Sequence, residues 1–145
     1  MAYSTLDDIK AVVAEADIAQ LTDDTGGTTI DTTKVTRAIE DADLLIDSFL
    51  RFQYTVPLSP VPALVRKLSV DIAVFNLFSR RRMVTDEMPE SVILRYRDAL
   101  RMLERLQTGR ASLGIEPETS DVQPAIKVSK TSEDRIFTKT LLEGF

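Results

Sequence analysis

Leu64-Val65-Arg66-Lys67-Leu68-Ser69-Val70-Asp71-Ile72-Ala73-Val74-Phe75-Asn76-Leu77-Phe78 is the stretch whose reading decides the fold. Leu64, Val65, Leu68, Ile72, Phe75 and Phe78 recur at helical spacing and share one wide face. Val70, Val74 and Leu77 add apolar surface on the rest of the circumference. A helix that is apolar on so much of its surface must be surrounded by other elements. It is therefore expected at the centre of a helical core, running over about 61–79. Asp71 stands in its middle and, if buried, needs a partner. Arg51 and Arg66 are the candidates, with an exposed Asp71 as the alternative.

Just upstream, Tyr54-Thr55-Val56-Pro57-Leu58-Ser59-Pro60-Val61-Pro62 holds three prolines. They remove backbone donors and keep the residues before them extended, so this segment is a stiff connection, with Pro60 or Pro62 opening the central helix. Further upstream, Val35, Ile39, Ala42, Ile46 and Phe49 form one stripe of a helix over about 32–52, capped by Asp31 or Thr32. Glu40, Asp41, Asp43 and Asp47 fall largely off that stripe and read as a solvated or partner-facing acidic row. The run Thr22-Asp23-Asp24-Thr25-Gly26-Gly27-Thr28-Thr29 is a connecting loop. It lacks the offsets of a calcium loop and of either common phosphate-binding glycine motif. The first helical region is expected over about 5–21. Thr5 caps it with Asp8 three residues on, Leu6, Ile9, Val13 and Ala16 line one face, and a short further turn or helix carries Ile18 and Leu21.

Downstream, Arg80-Arg81-Arg82 ends the central helix. Three adjacent arginines suit phosphate, a helix C-terminus or an acidic partner. A last helix is expected over about 89–108, opened by Pro89 and closed by Gly109, with Ile93, Tyr96, Leu100, Leu103 and Leu106 or Gln107 on its stripe. Arg95, Arg97, Arg101 and Arg105 make it basic. Residues 115–134 hold few large apolar side chains and read as an extended arm. Ile136, Phe137, Leu141, Leu142 and Phe145 then make its end apolar, fit either to dock on another surface or to fold back on the core. The expected architecture is all-α: a four-helix core within 1–114 and an arm over 115–145.

The 145-residue chain holds neither cysteine nor histidine. Disulfides, thiolate metal sites, Ser–His–Asp triads and histidine-ligated zinc are thereby excluded. No run approaches the length of a membrane span and the start lacks signal-peptide character, which fits a protein made and kept in a cytoplasm. Carboxylate–metal chemistry stays open, but no convergent motif supports it, so no catalytic, cofactor-binding or metal-binding residue is assigned. Charge is split: residues 1–50 carry 11 acidic and 3 basic side chains, residues 51–114 carry 6 and 11, and residues 115–145 carry 6 and 4. With a net charge of −5, general affinity for nucleic acid is not expected. Two oppositely charged regions suit either solvated faces of one fold or contact between successive copies.

Several stretches, in order, resemble a family of small Mu-like phage and prophage proteins. They are Tyr3-Ser4-Thr5-Leu6-Asp7-Asp8, Gln20-Leu21-Thr22-Asp23, Ile30-Asp31, Ile39-Glu40-Asp41-Ala42 and Ile46-Asp47-Ser48-Phe49-Leu50. Tyr54-Thr55-Val56-Pro57-Leu58 with Pro60-Val61-Pro62 is the most recognisable. Asp71-Ile72-Ala73, Arg80-Arg81, Tyr96-Arg97-Asp98-Ala99-Leu100, Gly109-Arg110-Ala111-Ser112-Leu113-Gly114 and Arg135-Ile136-Phe137-Thr138-Lys139 with Leu141 and Gly144-Phe145 continue the likeness over nearly the whole chain. The arginine cluster is longer here than the family pattern. The resemblance implies a helical head–tail connector, or adaptor, located in the virion neck after assembly in the host cytoplasm. It implies a ring of copies beneath the portal protein, meeting a downstream neck or tail-completion protein, through which DNA passes without sequence-specific binding. It implies no cofactor, no membrane and no catalytic residues.

On that expectation Arg80, Arg81, Arg82, Arg97 and Arg101 meet partners, and Phe137, Leu141, Leu142 and Phe145 anchor the arm. Glu40, Asp43 and Asp47 line the lumen or a subunit interface, because a basic lumen would grip phosphates. The alternative is a small helical DNA-binding regulatory protein using the arginine cluster and the basic last helix. Its weakness is the absence of a clear helix-turn-helix spacing.

Overall fold

The structure, a computed structural model, describes residues 2–81 and 88–115. Among these there are five helices and no strand: α1 (Leu6–Lys10), α2 (Glu15–Thr22), α3 (Thr32–Leu50), α4 (Ala63–Arg81) and α5 (Glu90–Gln107). The all-α class and the three long helices follow the sequence reading. The helical region expected over 5–21 consists of α1 and the short further helix carrying Ile18 and Leu21, with the break falling before Ala16 rather than after it. Thr5 and Asp8 form the reciprocal capping box, but the helix stops at Lys10. Ala14 then starts α2 in an extended conformation with no side-chain cap. The break leaves Ala16 exposed and turns Ile18 inward, where it is fully buried.

Helix α4 is the hub, packing against α1, α2, α3 and α5. Val65, Leu68, Ile72, Ala73, Val74 and Leu77 are buried along it. Each large aliphatic side chain taken fully out of water contributes about 1.5–3 kcal/mol, so this face alone outweighs any single polar contact described below. Val35, Ile39, Ala42, Ile46 and Leu50 of α3 meet it. Helix α5 adds Val92, Ala99, Leu103 and Leu106, and its Tyr96 ring stacks on Phe75 of α4 with centroids 3.8 Å apart.

Asp71 is buried, as an acidic residue on the hub helix must be if the helix is surrounded. Its partner is Lys67, one turn back, with Nζ 2.7 Å from Oδ2, and not Arg51 or Arg66. The lysine stem crosses one helical turn and leaves its ammonium at the surface, which requires no tertiary fit.

Helix ends follow the local chemistry. Asp31 accepts from the backbone N–H groups of Thr33 and Lys34 and caps α3. After α5, Gly109 takes φ +70°, and the N–H groups of Gly109 and Arg110 return to Leu106 O and Arg105 O at 3.2 and 2.8 Å. This closing pair is the Schellman arrangement, and it needs a residue that tolerates the left-handed region. The connection at 51–62 contains two cis peptide bonds, Val56–Pro57 and Ser59–Pro60, and buries Tyr54 and Leu58. Leu113 donates its N–H to Tyr54 Oη at 3.1 Å, holding the chain against this connection as it leaves the core.

Candidate interaction surfaces

The residues singled out by the sequence do not form one site; they divide among three places. The first lies where the N-terminal residues cross α3. Tyr3 is buried and donates its backbone N–H to Asp43 Oδ2 at 2.9 Å, while its hydroxyl donates to Asp47 and accepts from Leu58 N–H. Ser69 donates to Asp43 Oδ1 at 2.7 Å, so the Ser4 hydroxyl, 2.8 Å from Ser69, acts as donor to it. One chain of hydrogen bonds thus ties the N-terminus, α3, α4 and the proline connection together. Burial pushes the Asp43 carboxyl above the usual aspartate value, against the opposing effect of the Ser69 and Tyr3 hydrogen bonds. Burial, then the Asp47 hydrogen bond, likewise raises the Tyr3 hydroxyl.

Asp43 is engaged within the chain: only 8% of it is exposed, and both its oxygens accept hydrogen bonds there. Position 43 is four residues after Ile39 and three before Ile46, so it lies on the edge of the apolar stripe and is carried inward with it. Asp47 is half-buried and bonded to Tyr3, whereas Glu40 is exposed.

The second place is the end of α4. Arg80 donates to Leu21 O at 2.9 Å and to both Asp24 oxygens at 2.6 Å. Arg81 donates to Gln20 O and Asp23 O. Gln20 and Leu21 lie in the last turn of α2, whose carbonyls have no partner within that helix and whose dipole favours positive charge. The two arginines therefore close a different helix from their own and clamp the α2–α3 loop. Asp23 holds that loop from within, accepting from Thr25 N–H, Thr25 Oγ1, Gly26 N–H, Thr28 N–H and Thr29 N–H. These bonds, Thr25 Oγ1 first, hold its carboxyl well below the usual range. The Lys34 ammonium, then Arg80, pulls Asp24 down to about 2. Arg82 lies outside the described residues, as do Phe137, Leu141, Leu142 and Phe145.

The third place is the outer surface of α3 and α5. Arg97 and Arg101 are exposed, and Arg101 meets Asp98 at 3.5 Å, an open surface pair that contributes little. Arg101 lies eleven residues into α5, about 16 Å from its start, so it does not join the Arg80–Arg81 clamp. Three large apolar side chains stand out here that periodicity had passed over: Leu44, 68% exposed, Phe52, 70%, and Leu94, 49%. The available signal was that Leu44 and Leu94 fall outside their helix stripes; Phe52 stands beyond the end of α3. Among the described residues no group of acidic side chains is arranged to hold a metal ion, and no helix is long and apolar enough to cross a membrane.

A sequence profile of the family described as "Bacteriophage Mu, Gp36" matches residues 3–130. A Mu-like prophage FluMu protein gp36 of Haemophilus influenzae is 30% identical over 116 residues, covering 80% of this chain and 78% of that protein. Gene product J of Escherichia phage Mu is 31% identical over 85 residues, 58% of this chain and 55% of that protein. The matched region takes in the N-terminal clasp, the α4 clamp and all five helices, so the chain belongs to the bacteriophage Mu Gp36 family.

Proposed function

We propose that this protein is a non-catalytic head–tail connector of a Mu-like tailed phage, a ring of copies beneath the portal that joins head to tail around the DNA channel. The observation that carries the assembly reading is apolar surface that no described segment covers: Leu44, Phe52 and Leu94 stand out on α3, just past its end and on α5. Contacts around a ring are heterologous, so one face must complement a different one. The exposed acids Glu40 and Asp41 of α3 and the exposed Arg97, Arg101 and Arg105 of α5 supply opposite signs for such a contact. Electrostatics would set register and rate, and buried apolar side chains would hold the contact.

With Asp43 bonded within the chain, the acidic lining proposed for the lumen or interface rests on Glu40 and the edge of Asp47. The rival reading, a DNA-binding regulator, loses support because Arg80 and Arg81 are engaged with Leu21, Asp24, Gln20 and Asp23. Steep salt-dependent binding of duplex DNA by the purified protein would revive it. The connector reading is tested by deleting the gene in an inducible prophage. Expected are DNA-filled heads and finished tails that fail to join, with joining restored by the gene in trans. Joined, infectious particles without the protein would overturn it.

A further inference from the structure

A groove of about 550 Å³ lies between the N-terminal residues and the outer face of α3, within the volume range of clefts that take small ligands. Leu6, Ile39, Leu44 and Pro57 give it apolar walls, and Glu40 and Asp47 stand on its α3 side. Glu40, Leu44 and Asp47 follow one another at four- and three-residue steps, so acid, apolar and acid groups lie on a single helical stripe. Leu44 remains 68% exposed there, and no described segment covers it.

The chain itself contains a complementary stretch. Arg135-Ile136-Phe137-Thr138-Lys139-Thr140-Leu141-Leu142 places two cations four residues apart around and beside four large apolar side chains. Its tether begins at the right place. Tyr54, which holds Leu113, lies three residues before Pro57 of the groove wall, and Tyr3, next to the Ala2 and Ser4 that line the groove, accepts from Leu58 N–H. Nineteen residues separate Ile115 from Arg135, a reach of up to about 70 Å when extended, ample to return across a core of this size. Tethering raises the local concentration of such a segment to the order of millimolar, which favours its own copy over a neighbour in dilute solution.

We propose that residues 135–142 dock in the Leu6–Leu44–Pro57 groove of the same chain, cations toward Glu40 and Asp47 and apolar side chains against Leu44. In the isolated protein the segment covers an adhesive face. Contact between copies then requires its release or its exchange into a neighbour's groove. This goes beyond the connector reading and holds or fails without it.

The absence of cysteine from the sequence makes the test direct. In a Leu44→Cys/Leu141→Cys variant of the full chain at low micromolar concentration, a glutathione redox buffer should close an intramolecular disulfide. Closure should be at least about tenfold faster than in a Leu94→Cys/Leu141→Cys control, whose tether is the same but whose first cysteine lies on α5. Glu40→Cys, also at an exposed position, serves as a second reporter should Leu44→Cys disturb folding. Adding Glu40→Lys to the first variant should slow closure, and adding Lys139→Glu as well should restore it. Equal closure in test and control, failure of the charge exchange to restore it, or disulfide-linked dimers in place of closed monomers would overturn the proposal.

Discussion

Asp43 and Asp47 are the same residue type on the same helix, yet the fold uses them differently. Composition places both among the acids of α3. Spacing from Ile39 and Ile46 carries position 43 toward the core, and the crossing of Tyr3, 40 residues away in sequence, supplies its carboxylate with a donor while Asp47 stays at the edge. That contact is non-local, so no spacing rule within α3 reveals it; the same holds for Arg80 and Arg81, whose acceptors lie on α2 and the following loop. Tyr3→Phe removes the donor to Asp47 and leaves Leu58 N–H without its acceptor. A loss of about 1–3 kcal/mol is expected in urea unfolding, because a buried donor is stranded. The acids also make opposite contributions with pH. Asp43 has a raised pKa, so the folded state holds its proton more tightly. Stability from this group grows as pH falls through the raised value toward 3.8, and Asp43→Asn should abolish that gain. Asp24, lowered from 3.8 to about 2, contributes stability that is complete above pH 4 and lost as pH falls through 2. Asp24→Asn should flatten that acid limb. Urea titrations at pH 7, 5 and 3 separate the two, and the same slope in both variants would contradict the assignment.

The long helices were legible because their signals are local: stripes at helical spacing, Asp31 ahead of α3 and Gly109 after α5. The hub character of α4 followed from its apolar circumference alone. The short further helix carrying Ile18 and Leu21 was legible, but the place of the break was not, since Leu6, Ile9 and Val13 continue the period across Ala11–Ala14, where the chain leaves the helix. Tertiary burial of Ile18 decides that point, and it outweighs a period carried by three residues. The Asp71 partner was missed for a related reason. Arg51 beyond α3 and Arg66 five residues back were weighed, while Lys67 one turn away satisfies the carboxylate at no cost in tertiary fit. Two predictions belong to elements. Ile72→Ala on the hub should cost about 2–5 kcal/mol by opening a cavity beneath α3 and α5. Gly109→Ala should cost about 1–2 kcal/mol from its φ of +70° alone, since an added Cβ would meet nothing nearer than Gln53 Nε2 at 3.9 Å. Thermal unfolding of both variants checks these, and a neutral Gly109→Ala would show that the helix end is free to rearrange.

For the molecule as a whole, the all-α class and the Mu-like family were readable from the chain, and a profile match over residues 3–130 agrees with the latter. The candidate interaction residues were readable only in part. Charge counts separate an acidic first third from a basic middle, but they do not tell which charges face solvent and which are spent inside. Two of the arginines are spent on the α2–α3 loop, one of the acids on the N-terminus, and apolar Leu44, Phe52 and Leu94 take their place as the exposed features. A structural linker needs such a surface more than it needs a cleft, because its work is to be covered by neighbours. The most direct measurement is a reconstruction of the neck in finished particles by electron cryomicroscopy. The account predicts a closed ring of this five-helix core directly beneath the portal, with α5 of one copy against α3 of the next. A neck that lacks the protein, or holds it as isolated copies with Leu44 and Leu94 still bare, would contradict it.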